Sequence, residues 1–205
     1  ARSMGLQIEL DHVGKQFRHR WVFQDLTTTI HPGERIAITG SNGAGKSTLL
    51  KIASGLLTPS AGKVRFTLGG NPLEDVPKHL NFTAPYLDLI QEFSANELIG
   101  FHMSHRHLLP GWDAGRFLEA CHLYGERNKI IRHYSTGMQQ RLRIALAVLT
   151  SSELVSLDEP TSNLDEHYKQ WYQELLETYL GDRTLIIASN ERFDYRICGR
   201  AVALG

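Results

Sequence analysis

Short apolar–polar alternations dominate the first third of the chain and predict a β-rich region. Residues about 6–40 alternate in short runs broken by the turn signal Pro32-Gly33, the pattern of antiparallel strands with one exposed face. Lys63–Leu68 alternates again and stops at Gly69-Gly70-Asn71-Pro72. From about Gln91 to Thr150 the period lengthens. Leu98, Ile99 and Phe101, then Phe117, Leu118 and Leu123, then Leu142, Ile144, Ala145 and Leu149 recur at helical spacing. Two later runs, Leu154–Leu157 and Thr184–Ala188, are continuous and apolar, as strands buried on both faces of a parallel sheet require, and a helical stretch of about residues 166–180 separates them. The expected fold class is α/β, a core sheet with an antiparallel β subdomain and a helical subdomain.

A chain of 205 residues fits one domain and buries roughly 70% of its unfolded surface without a disulfide or metal staple. Lys+Arg and Asp+Glu balance at 22 each, which gives no support for a broad face for direct nucleic-acid binding and leaves only local patches open. Cys121 and Cys198 lie far apart with no C-x-x-C spacing, so a reducing cytosol is expected. No apolar run reaches the roughly 18 residues of a membrane helix, and no signal peptide is visible. Work at a membrane therefore requires docking on something that spans it. Ala1-Arg2-Ser3, ahead of Met4, reads as a cloning scar.

Chemistry enters with Gly40-Ser41-Asn42-Gly43-Ala44-Gly45-Lys46-Ser47, followed by Thr48. The spacing G-x-x-x-x-G-K-[ST] is that of a loop that cradles nucleotide phosphates, and it lies between the strand-like Ile36–Thr39 and the helix-like Leu49–Ala53. Glycines there let successive N–H groups converge on phosphate oxygens, Lys46 reaches the β- and γ-phosphates, and the Ser47 hydroxyl can sit on Mg²⁺. ATP and Mg²⁺ are the expected cofactors. The apolar run Leu154–Leu157 ends in Asp158-Glu159, and because side chains alternate along a strand the two carboxylates take different jobs. Asp158 is the candidate for orienting Mg²⁺, and Glu159 for polarising the attacking water. Tyr134-Ser135-Thr136-Gly137-Met138-Gln139-Gln140-Arg141 opens a long apolar-striped helix. Taken alone it is an ordinary Ser/Thr cap; between a phosphate loop and an Asp-Glu strand it reads as a second anion-binding surface.

This ordered set resembles the nucleotide-binding domain of ATP-binding cassette (ABC) proteins, a P-loop NTPase fold, from about residue 6 to 204. In that likeness Gly40–Thr48 is Walker A, Tyr134–Gln139 the signature motif, Leu154–Glu159 Walker B and Ser162–Asp165 the D-loop. The resemblance implies a core of 6–84 and 151–204 that carries the β subdomain, and a helical subdomain of 85–150 with the signature. It implies a head-to-tail pair of domains, homo- or heterodimeric, with ATP between Walker A of one chain and Ser135, Gly137 and Gln139 of the other. Phe17 matches the aromatic that stacks on adenine, and Trp21 competes for that role; a plain core or hairpin aromatic is the alternative for each.

Three departures stand out. Thr136 and Met138 interrupt the usual Leu-Ser-Gly-Gly-Gln, while Ser135, Gly137 and Gln139 are kept. Asn190 occupies the place of the switch histidine; it can donate a hydrogen bond but carries no charge. Pro85 replaces the expected Q-loop glutamine, with Gln91 six residues on. Loss of one transition-state donor commonly costs about 10²–10³ in rate, so weakened hydrolysis with ATP binding intact is expected. His102, His105 and His107 invite a metal reading, but no Cys or nearby carboxylate completes a ligand set, and a solvated helical surface is expected.

The leading functional expectation is the ATPase subunit of an ABC transporter, peripheral at the inner face of a membrane and driving separate membrane-spanning subunits that dock near Gln91–His107. The short chain and its Ile38–Lys46 stretch also look somewhat like the haem-exporter ATPases of cytochrome c maturation. A regulatory switch with little turnover is the alternative that Pro85 and Asn190 favour. A soluble ABC protein of translation or DNA repair fits less well, since the chain has neither paired domains nor a long coiled insertion.

Overall fold

The computed structural model describes residues 5–205, so the segment read as a cloning scar lies outside the described residues. The alternating run forms β1 (Gln7–Phe17) and β2 (Arg20–Ile30), an antiparallel pair, and β1 turns Ile8, Leu10 and Val13 inward. The chain then leaves that sheet. After the Pro32-Gly33 turn, β3 (Arg35–Gly40) joins a second sheet and runs into α1 (Lys46–Ala53). β4 (Ala61–Leu68) returns to pair with β1, and β5 (Asn71–Pro72) closes the antiparallel sheet in the order β2-β1-β4-β5.

The second sheet runs β6 (Leu80–Thr83), β7 (Leu154–Asp158), β8 (Thr184–Ala188), β3, β9 (Arg200–Leu204). β7, β8, β3 and β9 are mutually parallel, so their C-terminal ends reach the same edge. All five residues of β7 and of β8 are buried, which is why these strands read as unbroken apolar runs. β9 and β6 carry no such signature. Most of β9 is exposed, and β6 is four residues long with Asn81 and Thr83 in it.

The chain divides into two compact units. One holds residues up to Phe82, with Ser152–Glu159 and Gly181–Gly205; the other holds Thr83–Ser151 and Pro160–Leu180. In the first, Ile8, Leu10 and Val13 of β1 join Ile36 and Ile38 of β3, Leu49, Leu50 and Ile52 of α1, and Ile186 of β8 in one apolar cluster. Thr184 pins the start of β8: its hydroxyl donates to Leu6 O at 2.7 Å and accepts from Gly33 N–H at 3.1 Å.

The second unit contains α2 (Ala95–Met103), α3 (Ala114–Ala120), α4 (Thr136–Leu149) and α5 (Glu166–Tyr179). Each starts on a side-chain cap, Ser94, Asp113, Ser135 and Asp165, and Ser94 forms a reciprocal capping box with Glu97. The run Phe117, Leu118, Leu123 is interrupted rather than continuously helical. α3 ends at Ala120, His122 turns to a φ of 56°, and Leu123 reaches the core from the turn. The sequence division left residues 160–180 with the core sheet; here they cluster with the helical unit. α5 explains this, because Trp171 Nε1 donates to Ala120 O at 2.7 Å and Gln140 Nε2 donates to Pro160 O at 2.9 Å. Among the described residues no helix is long and apolar enough to cross a membrane.

Burial pushes the Cys121 and Cys198 thiols up to about 12. Neither is a thiolate near neutrality. A thiol reagent at pH 8 is expected to modify neither cysteine in the native protein within minutes and both after denaturation; fast native labelling would contradict their placement. Ile186→Ala is expected to cost about 2–5 kcal/mol, read as a lower urea midpoint, because a fully buried strand residue leaves a cavity.

Candidate nucleotide site

β3 delivers the chain to the phosphate loop, and the loop enters α1 through Gly45 at a φ of 97° with no side-chain cap. The first N–H groups of α1 are therefore not engaged by a capping side chain, and no acidic residue occupies the first turn. The setting suits an anion. Glycine is needed at both ends of the loop. A Cβ on Gly45 would lie 2.3 Å from Val22 Cγ1 of β2, and one on Gly40 would lie 2.5 Å from Leu204 O of β9. Lys46 is 6% exposed, and its Nζ donates to Gly40 O at 2.9 Å and to Ser41 O at 3.0 Å. The ammonium is thus held inside its own loop. Ser47 and Thr48 follow in the first turn of α1.

Asp158 ends β7 at the same edge of the parallel sheet and is 1% exposed. Glu159 comes next with a φ of 44°, a left-handed backbone that a side chain disfavours, and its N–H is tied to Ala188 O at 2.9 Å. Burial first, then the negative charges of Asp158 and Asp194, push the Glu159 carboxyl above the usual carboxylate range. A hydrogen bond from Ser189 and the charge of Lys46 oppose that shift. Asp158, Glu159 and Asp194 together bring more negative charge than Lys46 offsets. Such an oxygen-rich setting fits a hard divalent cation, and Ser47 and Asp158 are the residues that could hold it. Among the described residues no three His, Cys, Asp or Glu side chains converge to hold an ion by themselves. A cation here would draw its remaining ligands from phosphate and water, as Mg²⁺ commonly does.

Asn190 follows β8, and its Nδ2 donates to Asn42 Oδ1 of the phosphate loop. Phe17 ends β1 across from Arg20 and is 49% exposed, with Lys15 Nζ 5.2 Å from its ring centroid; Trp21 is 44% exposed. Both aromatics remain available to stack on a base. Sequence reasoning missed Val22, which closes on Gly45, Ser189, which meets Glu159, and Asp194, which meets Ser189. None belongs to a recognisable motif.

In the helical unit Ser135 caps α4 and accepts from Met138 N–H at 3.1 Å. A Cβ on Gly137 would lie 3.1 Å from Asn163 O, so the start of α4 and the D-loop segment adjoin. A cavity of about 280 Å³ opens there, lined by Ser135, Gly137, Met138 and Arg141 among others. Gln139 faces away from it. Its Nε2 donates to Ile131 O and its Oε1 accepts from Gln91 Nε2, each at 3.3 Å. Gln91 is thereby occupied, donating also to Leu89 O at 3.1 Å. The three histidines have separate surroundings. His102 is half-buried against the Thr150 hydroxyl at 2.8 Å, His105 meets Ser104 and Phe101 O, and His107 is exposed.

Gly45→Ala is expected to weaken binding of a fluorescent ATP analogue at least about tenfold, because it forces strain into the loop and drives Val22 away. Unchanged affinity in a folded variant would show that the loop does not bind phosphate.

Comparison with known proteins gives a consistent result. The family model described as ABC transporter matches residues 23–162, more than half of the chain. "Cytochrome c biogenesis ATP-binding export protein CcmA" of Brucella abortus is 30% identical over 90% of this chain and 85% of its own length. "Nod factor export ATP-binding protein I" of Rhizobium johnstonii is 30% identical over 97% of this chain and 68% of its own. Human "Phospholipid-transporting ATPase ABCA7" is 32% identical over 87% of this chain, which spans only 9% of that protein. Among solved structures, a dimeric post-hydrolysis ATP-binding cassette bound to ADP and Pi superposes with a TM-score of 0.80 at 23% identity, covering 96% of this chain and 94% of that one. A bacterial Atm1-family ABC exporter with ATP bound gives 0.79 at 18% identity, covering 97% of this chain and 37% of the exporter. The chain belongs to the ABC transporter family and has the fold of its ATP-binding domains.

Proposed function

We propose that the chain is the ATP-binding subunit of a transporter, working at the cytoplasmic face of a membrane through membrane-spanning subunits supplied by other chains. The observation that carries this reading is the meeting, at one sheet edge, of an uncapped helix start with its buried Lys46 and the adjacent carboxylates Asp158 and Glu159. In this reading Gly40–Thr48 hold the phosphates and Phe17 stacks on adenine. Bound Mg²⁺, held by Ser47 and Asp158, would offset phosphate charge. Glu159 polarises the attacking water, a role that its raised proton affinity favours. Ser135 and Gly137 complete the site of a second ATPase domain in a head-to-tail dimer, while the Gln139 side chain, expected to join them, is turned to Ile131 and Gln91.

Tyr86, Leu87, Ile90, Phe101 and Met103 are large apolar residues exposed on the helical unit, which supports docking of a membrane-spanning partner there. Relatives named for export support the transport class, and the one named for cytochrome c biogenesis supports the narrower likeness to haem exporters. Pro85 and Asn190 favour a slow site, so a switch with little turnover is the second reading.

Mg·ATP hydrolysis measured against protein concentration separates the two. The transporter reading expects turnover to rise more than linearly and to fall at least about 10²-fold in Glu159→Gln, with Asn190→His raising it. ATP binding without turnover, unchanged by Asn190→His, would leave the switch reading; turnover linear in concentration and indifferent to Glu159→Gln would overturn the proposed site.

A further inference from the structure

Ser189 is the first residue after β8 and is fully buried, with its N–H donated to Ile38 O of β3 at 3.1 Å. Its Oγ accepts from Glu191 N–H at 3.0 Å, lies 2.6 Å from Asp194 Oδ2 and 3.3 Å from Glu159 Oε2. One hydroxyl carries one proton, yet it stands between two carboxylates. Asp194 is the closer partner and fixes where the hydroxyl oxygen sits; the single proton serves one carboxylate at a time, and from that place it also reaches Glu159 Oε2. Asp194 is itself 1% exposed, with its N–H donated to Glu191 O at 3.0 Å. A buried carboxylate costs stability unless its hydrogen bonds are made, and a purely apolar or amide side chain would fill this place at less cost.

We propose that Asp194 is a positioning residue that acts through the Ser189 hydroxyl to hold the Glu159 carboxylate in place. The Glu159 backbone has an unfavourable φ and its N–H is fixed on Ala188 O, one residue before Ser189, so backbone and side chain are both referred to the end of β8. The hydroxyl contacts Oε2 of the carboxyl. A long, half-buried glutamate thereby gains one fixed point near its tip. The consequence is geometric: small displacements of a reacting group cost about 10²-fold in rate.

The inference rests on the reading that Glu159 acts on the attacking water. Single-turnover hydrolysis with protein in excess over ATP keeps slow rates measurable, and nucleotide affinity is measured separately by fluorescence titration. Ser189→Ala and Asp194→Ala are each expected to slow hydrolysis about 10- to 100-fold with the ATP Kd unchanged. Ser189→Thr is expected to restore most of the rate. The double variant is expected to be no slower than either single one, because both act along one path. Should Asp194→Ala fail to fold, Asp194→Asn takes its place in the cycle. Full multiplicative loss in the double variant, or a normal rate in Ser189→Ala, would overturn the inference while a slow Glu159→Gln keeps the site reading intact. Indifference of turnover to Glu159→Gln would instead remove the reading beneath it.

Discussion

The nucleotide site depends on a helix that begins without a cap. Across the helical unit every α-helix starts on a serine or aspartate whose side chain takes up an N–H, and that arrangement stabilises the helix from within. α1 differs. Its entry through a left-handed Gly45 leaves the job of satisfying the first N–H groups to whatever occupies the loop. The sheet then accounts for the rest. Because β3 lies beside β8, and β8 beside β7, in parallel, the phosphate loop, Asn190 and the Asp158-Glu159 pair arrive at one edge.

What was legible in the sequence follows from how much each element must conceal. β7 and β8 are buried on both faces and cannot be anything but apolar runs, and the phosphate loop must carry glycine where a Cβ would strike Val22 or the backbone of Leu204. Those constraints are local and leave a mark. β9 satisfies its backbone by pairing with β3 while exposing most of its side chains, so nothing in Arg200–Leu204 had to be distinctive. The loyalty of residues 160–180 to the helical unit is likewise invisible locally, since it rests on bonds such as Trp171 to Ala120 across 51 residues. Ser189 and Asp194 escaped for the same reason: Ser189 meets Glu159 across 30 residues and Asp194 meets Ser189, with no spacing that marks either.

The signature region shows a limit of motif matching of another sort. Gln139 fits the expected letter, but its side chain turns toward Ile131 and Gln91, while Met138 lines the cavity at the start of α4. On a helix a shift of one residue rotates a side chain by about 100°. Letter-by-letter agreement therefore says less than the face a residue occupies. Ser135 is less exposed to this ambiguity, because an N-cap is defined by its own backbone geometry and by the N–H it accepts from Met138.

The bond between Asn190 and Asn42 joins the end of β8 to the phosphate loop through two amides. Neither amide gains or loses a proton in water at any pH a cell experiences. An imidazole at the same place would change its charge between about pH 5 and 8, so the contact would strengthen or weaken with acidity. In this chain the tie between strand and loop is made by two side chains that do not titrate, so its strength does not follow acidity.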